Sequence, residues 1–253
     1  MRRFECPSAR VSVQGLTKGP LPTIVYVHGG PESQETARFN IAIQYFVNHG
    51  FLVLAPNVRG SAGYGKKWVH LDDVEKRLDS VHDLEALVRW AVKAGLSVPG
   101  RIGIMGGSYG GFMVLSALSE YPTLWGAGVC SVGIANLETF LENTARWRRH
   151  LREAEYGSLE KNRELLRRIS PIHQVERITS PLMIIHGVND PRVPVGEADQ
   201  IVSELKDLGR HVEYIRFDDE GHGIAKIKNR VRANNLIGEF FQKSLSRSGG
   251  RES

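Results

Sequence analysis

The run RIGIMGGSYGG, residues 101–111, restricts what this chain can fold into more than any other stretch. Residues 101–105 form a short apolar segment of strand type, and Phe112, Met113, Leu115 and Leu118 then recur at helical spacing. Ser108 therefore sits where a β-strand turns sharply into an α-helix. Gly106 and Gly110, two before and two after it, let the backbone turn without a Cβ clash and leave the hydroxyl aimed outward. That placement suits a nucleophile. A bare G-x-S-x-G arises easily by chance in a chain with 27 glycines, so the flanking strand and helix carry the weight. An ordinary glycine-rich turn or a phosphate-binding loop would share the composition. The chain lacks the Lys-Ser/Thr pair of a P-loop and the glycine spacing of a dinucleotide site at this position.

A serine hydroxyl attacks poorly unless a base takes its proton and an acid orients that base. Residues 181–187, PLMIIHG, read as a buried strand, and the proline-stiffened loop beyond it carries Asp190, the candidate acid. A helix over about 196–208 and a strand over 211–217 follow, and then a polar loop with glycines on both sides of His222, the candidate base. The other eight histidines fall on helices or their polar edges, or, for His28 and His186, at the ends of apolar strands where an imidazole serves nearby backbone groups. Asp218, Asp219 and Glu220 compete with Asp190, but residues on the same short loop as His222 do not reach its far ring nitrogen. Read alone, Asp190 would cap the helix that follows, and His222 would be a loop histidine. The order Ser108, Asp190, His222 is the one an α/β-hydrolase requires.

Attack on a carbonyl also needs donors for the oxyanion. The apolar strand over 23–27 is followed by His28-Gly29-Gly30-Pro31, so the Gly30 amide can pair with the Tyr109 amide, which opens the helix after the nucleophile. The plain alternative is that HGGP is only a turn.

Five blocks in this order, VHGGP from Val27, NVRGSAGYG from Asn57, GGSYGG from Gly106, HGVNDPRVP from His186 and EGHG from Glu220, resemble the catalytic domain of the prolyl oligopeptidase family of serine peptidases. The resemblance runs from Leu21 to about Leu245 and is nearest the acylaminoacyl-peptidase and dipeptidyl-peptidase branches. It implies an α/β-hydrolase fold, a Ser108, Asp190, His222 triad and an oxyanion hole of the Gly30 and Tyr109 amides. Some members carry a tyrosine where His28 stands and use its hydroxyl on the oxyanion; that donor is missing here. Members usually carry a β-propeller of several hundred residues as well, for which 253 residues leave no room.

The hydrophobic fraction of 41% fits one α/β domain with a sizeable core, and strands near 23, 51, 101, 126, 181 and 211 alternate with helical stretches near 38, 79, 109, 196 and 226. The expected fold is a mainly parallel, doubly covered sheet over residues 23–245, after a polar lead (1–22, with a strand around 10–14) and before a flexible tail (246–253). A helical insertion over 136–177 either roofs the site or packs as a surface helical pair. Tyr64, Trp68, Trp147 and Val193 are candidate substrate contacts, with Tyr156 beside them.

The net charge of +5 gathers on helices interleaved with acids and has no aromatic-basic platform, which argues against nucleic acid and leaves room for anionic substrates. Two cysteines make no disulfide framework, and no HExxH or paired C-x-x-C spacing suggests a metal. The start MRRFECPSAR has no apolar segment after it and no stretch is long enough to span a bilayer, so a soluble cytoplasmic protein with no membrane partner is expected. The expected activity is a cofactor-free serine hydrolase acting on a short peptide, an acyl peptide or a small ester through an acyl-enzyme. A carboxylesterase is the alternative within that chemistry, and a silent hydrolase fold acting as a binding module is the alternative outside it. A homo-oligomer is compatible with the sequence.

Overall fold

Nearly unbroken runs of Val, Ile, Leu and Ala must be covered on both faces, which only helices packed on each side of a parallel sheet provide. The computed structural model describes residues 8–11 and 19–246. Its strands are β1 (Ser8–Val11), β2 (Leu21–Val27), β3 (Leu52–Pro56), β4 (Ser97–Gly107), β5 (Ala127–Ser131), β6 (Leu182–Gly187) and β7 (Val212–Phe217). They form one sheet in the order β1-β3-β2-β4-β5-β6-β7. Strands β2 to β7 all run parallel, and β1 adds an antiparallel edge. The helices between and after them are α1 (Ile41–Asn48), α2 (Lys66–Val69), α3 (Asp79–Lys93), α4 (Tyr109–Glu120), α5 (Leu137–Asn143), α6 (Arg146–Tyr156), α7 (Arg163–Ile169), α8 (Gly196–Asp207) and α9 (Ile227–Leu245). The expected α/β-hydrolase architecture is what the chain adopts.

Alternation along the strands divides the core in two. Val25, Leu54 and Ile104 face a cluster built with α3, α4 and α8, whereas Ile24, Val53 and Met105 face one built with α1 and α9. Helix α4 is buried from Tyr109 to Ser119, as its almost uninterrupted apolar sequence requires for a helix at the centre of the sheet. No helix among the described residues is long and apolar enough to cross a membrane.

Two parts of the chain bear on the sequence expectation, the lead and the insertion. The lead strand lies at Ser8–Val11, where it pairs with Pro56 to Val53 of the five-residue β3, and residues 12–18 lie outside the described residues. Cys6 and tail residues 247–253 lie outside them too. The insertion is more than a surface pair: α5, α6, α7 and a 3-10 stretch (Pro171–Arg177) succeed one another, and Leu165, Leu166 and Ile169 of α7 are buried in the core. Its entry is fixed by the buried Glu197 of α8, whose carboxylate accepts from the Ala135 and Asn136 amides at 3.1 and 2.8 Å and from the Thr139 hydroxyl.

Candidate active site

Ser108 joins the central strand β4 to α4 with φ 58° and ψ −120°, a conformation that a residue with a Cβ rarely adopts. The turn is held by the Ser108 N–H donating to Ser131 O at 2.9 Å and by the Gly111 and Phe112 amides donating to Ser108 O. Its neighbouring glycines act through close approach. A Cβ on Gly110 would lie 2.5 Å from Val27 O, and one on Gly106 would lie 2.6 Å from Gly110 O. The elbow is thus pressed directly against the end of β2, where His28, Gly29 and Gly30 begin. A Gly110→Ala variant is expected to lose about 2 kcal/mol of stability through overpacking, although alanine is the better helix former. Urea unfolding checks it, and an unchanged midpoint would mean that α4 can shift without cost.

The loops after β6 and β7 bring the other two residues to the same edge of the sheet. They are knitted by Val188 N–H to Phe217 O at 2.9 Å and Asn189 N–H to Glu220 O at 3.0 Å. Gly187 makes that contact sterically feasible, since a Cβ there would lie 2.7 Å from Glu220 O. Glu220 itself accepts from the Ala225 and Lys226 amides ahead of α9, and Asp219 pairs with Lys226. Both are therefore engaged away from the imidazole. His222 instead directs Nδ1 to Asp190, 2.8 Å from Oδ2, and Nε2 to Ser108 Oγ at 3.0 Å.

The Asp190 side chain has no solvent exposure, whereas His222 retains 19%. Burial alone would raise the Asp190 carboxyl, but hydrogen bonds from His222 and from the Val193 and Arg192 amides outweigh it and hold the group below the usual carboxylate range. A carboxylate facing Nδ1 fixes the tautomer in which Nε2 accepts from the serine hydroxyl. His186 is fully buried 3.6 Å from Asp190 and donates from Nε2 to Val193 O at 3.0 Å; His28 donates from Nδ1 to Gly29 O at 2.7 Å. Burial lowers both, so both stay neutral and serve the backbone, as expected for histidines that end apolar strands.

A cleft of about 500 Å³ opens over Ser108 and His222. Gly30 borders it, and the Tyr109 N–H stands at the first position of α4, where a helix leaves its amides without intrahelical acceptors. Ile134, Phe140, Tyr156 and Val193 supply a buried apolar floor, and Trp147, 71% exposed, stands at the mouth. Tyr64 and Trp68 do not line the cleft: the Tyr64 hydroxyl accepts from Asn57 Nδ2 at 2.7 Å and the Trp68 indole donates to Val58 O at 3.2 Å, which ties both to the loop after β3. Among the described residues, no cluster of three or more His, Cys, Asp or Glu side chains is arranged to hold a metal ion.

Sequence reasoning missed a buried polar cluster beneath the elbow. Arg77 and Asp72 are both enclosed, with Arg77 Nη1 donating to Asp72 Oδ2 at 2.6 Å and to the Tyr109 hydroxyl at 3.1 Å. Nη2 donates to Glu155 O at 2.5 Å, near the end of α6. Burial pushes the Tyr109 phenol up, so it stays protonated and donates to Asp72 at 3.0 Å. Nothing in the charged segment 70–83 separates these two residues from its solvated ones before the fold is known.

A profile of the prolyl oligopeptidase family matches residues 37–248. The chain belongs to that family. Dipeptidyl aminopeptidase BIII of Pseudoxanthomonas mexicana is 34% identical over 249 residues, covering 96% of this chain and 36% of that protein. Acylamino-acid-releasing enzyme 1 of Oryza sativa subsp. japonica is 26% identical over 251 residues, covering 95% and 32%. Among solved structures, a puromycin-hydrolyzing peptidase of Mycobacterium tuberculosis superposes with a TM-score of 0.87 at 27% identity, covering 91% of this chain and 35% of that one. The acylaminoacyl peptidase of Pyrococcus horikoshii gives 0.85 at 26%, covering 99% and 43%. The chain thus spans about a third of the length of the curated family members it matches.

Proposed function

We propose that this chain is a serine peptidase of acyl-transfer type, cleaving short acyl peptides through an acyl-enzyme. The observation that carries the reading is the unbroken line of hydrogen bonds from Ser108 Oγ through His222 to the buried Asp190, beneath an open cleft. Ser108 attacks the scissile carbonyl while His222 Nε2 takes its proton, and Asp190 orients the ring and stabilises the imidazolium. The Gly30 and Tyr109 amides receive the oxyanion, aided by the positive end of α4. His222 then protonates the leaving amine, and water admitted to the same position releases the acyl group. The names of the related proteins favour amide over ester bonds. No Asp or Glu lines the cleft among the described residues.

The test is the initial rate on an acetyl-amino-acid p-nitroanilide and the matching p-nitrophenyl ester, for wild type and Ser108→Ala together. Serine-dependent cleavage of the anilide is the expected result. Cleavage of the ester alone would turn the reading to a carboxylesterase. A folded chain that cleaves neither and takes no fluorophosphonate at Ser108 would be a silent binding module.

A further inference from the structure

Three arginines border the cleft, Arg148 and Arg152 of α6 and Arg192 of the loop after β6, and no Asp or Glu does so among the described residues. Their surroundings differ. Arg152 is engaged: Nη1 donates to Glu155 Oε2 at 3.0 Å and reaches Gly30 O at 3.4 Å. The Arg148 guanidinium lies 5.5 Å from the Trp147 ring centroid and has no acidic partner among the described residues. The Arg192 side chain likewise pairs with no acid there, although its backbone N–H donates to Asp190. Asp190 cannot neutralise the cleft, because it is fully buried and its oxygens are taken by His222 and two amides.

Two arginines without an acidic partner among the described residues, bordering a cleft with an apolar floor, give it a positive potential beside Ser108. A planar guanidinium binds a carboxylate through parallel N–H donors, so the chemistry it selects is an anionic oxygen pair. We propose that Arg148 and Arg192 form a carboxylate-recognition subsite, so that the preferred substrates are short acyl peptides with a carboxylate close to the scissile bond. This specifies the substrate class of the peptidase reading above and rests on it. The carboxylate has two sources: an acidic side chain in the acyl part, or the free terminus of a short leaving part.

Two matched substrate pairs separate them. Acetyl-Glu against acetyl-Gln p-nitroanilide puts the charge in the acyl part, and acetyl-Ala-Ala against its C-terminal amide puts it in the leaving part. For at least one pair, kcat/KM is expected to be about tenfold higher for the carboxylate member at low salt, with the ratio falling as salt is added. Arg148→Gln and Arg192→Gln should each bring that ratio towards one, and Arg148→Lys should retain part of it. A ratio of one for both pairs in the wild type, or a ratio that neither glutamine variant changes, would overturn the subsite while leaving the peptidase reading standing. Loss of Ser108-dependent cleavage on every member, neutral ones included, would overturn both.

Discussion

Ser108→Ala is expected to fold as the wild type does and to lose about 10⁴-fold or more in kcat/KM on any substrate the wild type cleaves. The fold is safe because alanine keeps the Cβ that already occupies the strained turn at φ 58°, and because the bonds that hold the turn come from the Ser108 backbone. What disappears is one oxygen, 3.0 Å from His222 Nε2. On the proposed mechanism the nucleophile is then gone, and only the slower attack of water remains. Matching urea midpoints together with absent fluorophosphonate labelling are the paired readouts. Turnover that survives in a rigorously purified variant would require a different nucleophile.

Removing Arg77 should be the most damaging change away from the reacting atoms. Arg77→Met strips a fully enclosed Asp72 of its counter-ion and frees Glu155 O, and breaking such a pair on one side costs about 3–5 kcal/mol. For a domain of this size the melting temperature should fall by about 10 °C. The informative control is Arg77→Met with Asp72→Leu, which leaves no buried charge and should recover most of the loss, because replacing both partners of a buried pair is often nearly neutral. A single variant as stable as the wild type would show that Asp72, which burial already raises to about 6, takes up a proton when its counter-ion is removed. A double variant no better than the single would place the loss in the Glu155 and Tyr109 contacts instead of the charge.

These residues mark the limit of what the sequence discloses. Strand positions and the parallel order were legible because runs such as residues 101–105 and 181–187 are apolar and bounded by glycine, proline or charge. That Ser108, Asp190 and His222 would lie at one edge of the sheet was legible because each follows the end of a parallel strand. Tyr64 and Trp68 were harder to place, because the polar end of a loop aromatic can serve the loop itself, as the Tyr64 hydroxyl does with Asn57 and the Trp68 indole N–H with Val58 O. Arg148 and Arg192 sit in plain view as surface-type residues, and only the approach of α6 to the loop after β6 makes them neighbours of one cleft. The i, i+4 spacing of Arg148 and Arg152 beside Trp147 was the one local hint.

The division of labour along the chain has a consequence for how such a protein changes over generations. The residues proposed to react come from loops scattered between Gly30 and His222, whereas Phe140, Trp147, Arg148, Arg152 and Tyr156, which border the same cleft, all come from one continuous stretch. That stretch is tied to the elbow from below through Glu155 O, a main-chain atom that any amino acid at the position would supply. Exposed side chains of that stretch, such as Trp147, can therefore vary without disturbing the main-chain tie, whereas Arg192 and Val193 travel with the loop that holds Asp190.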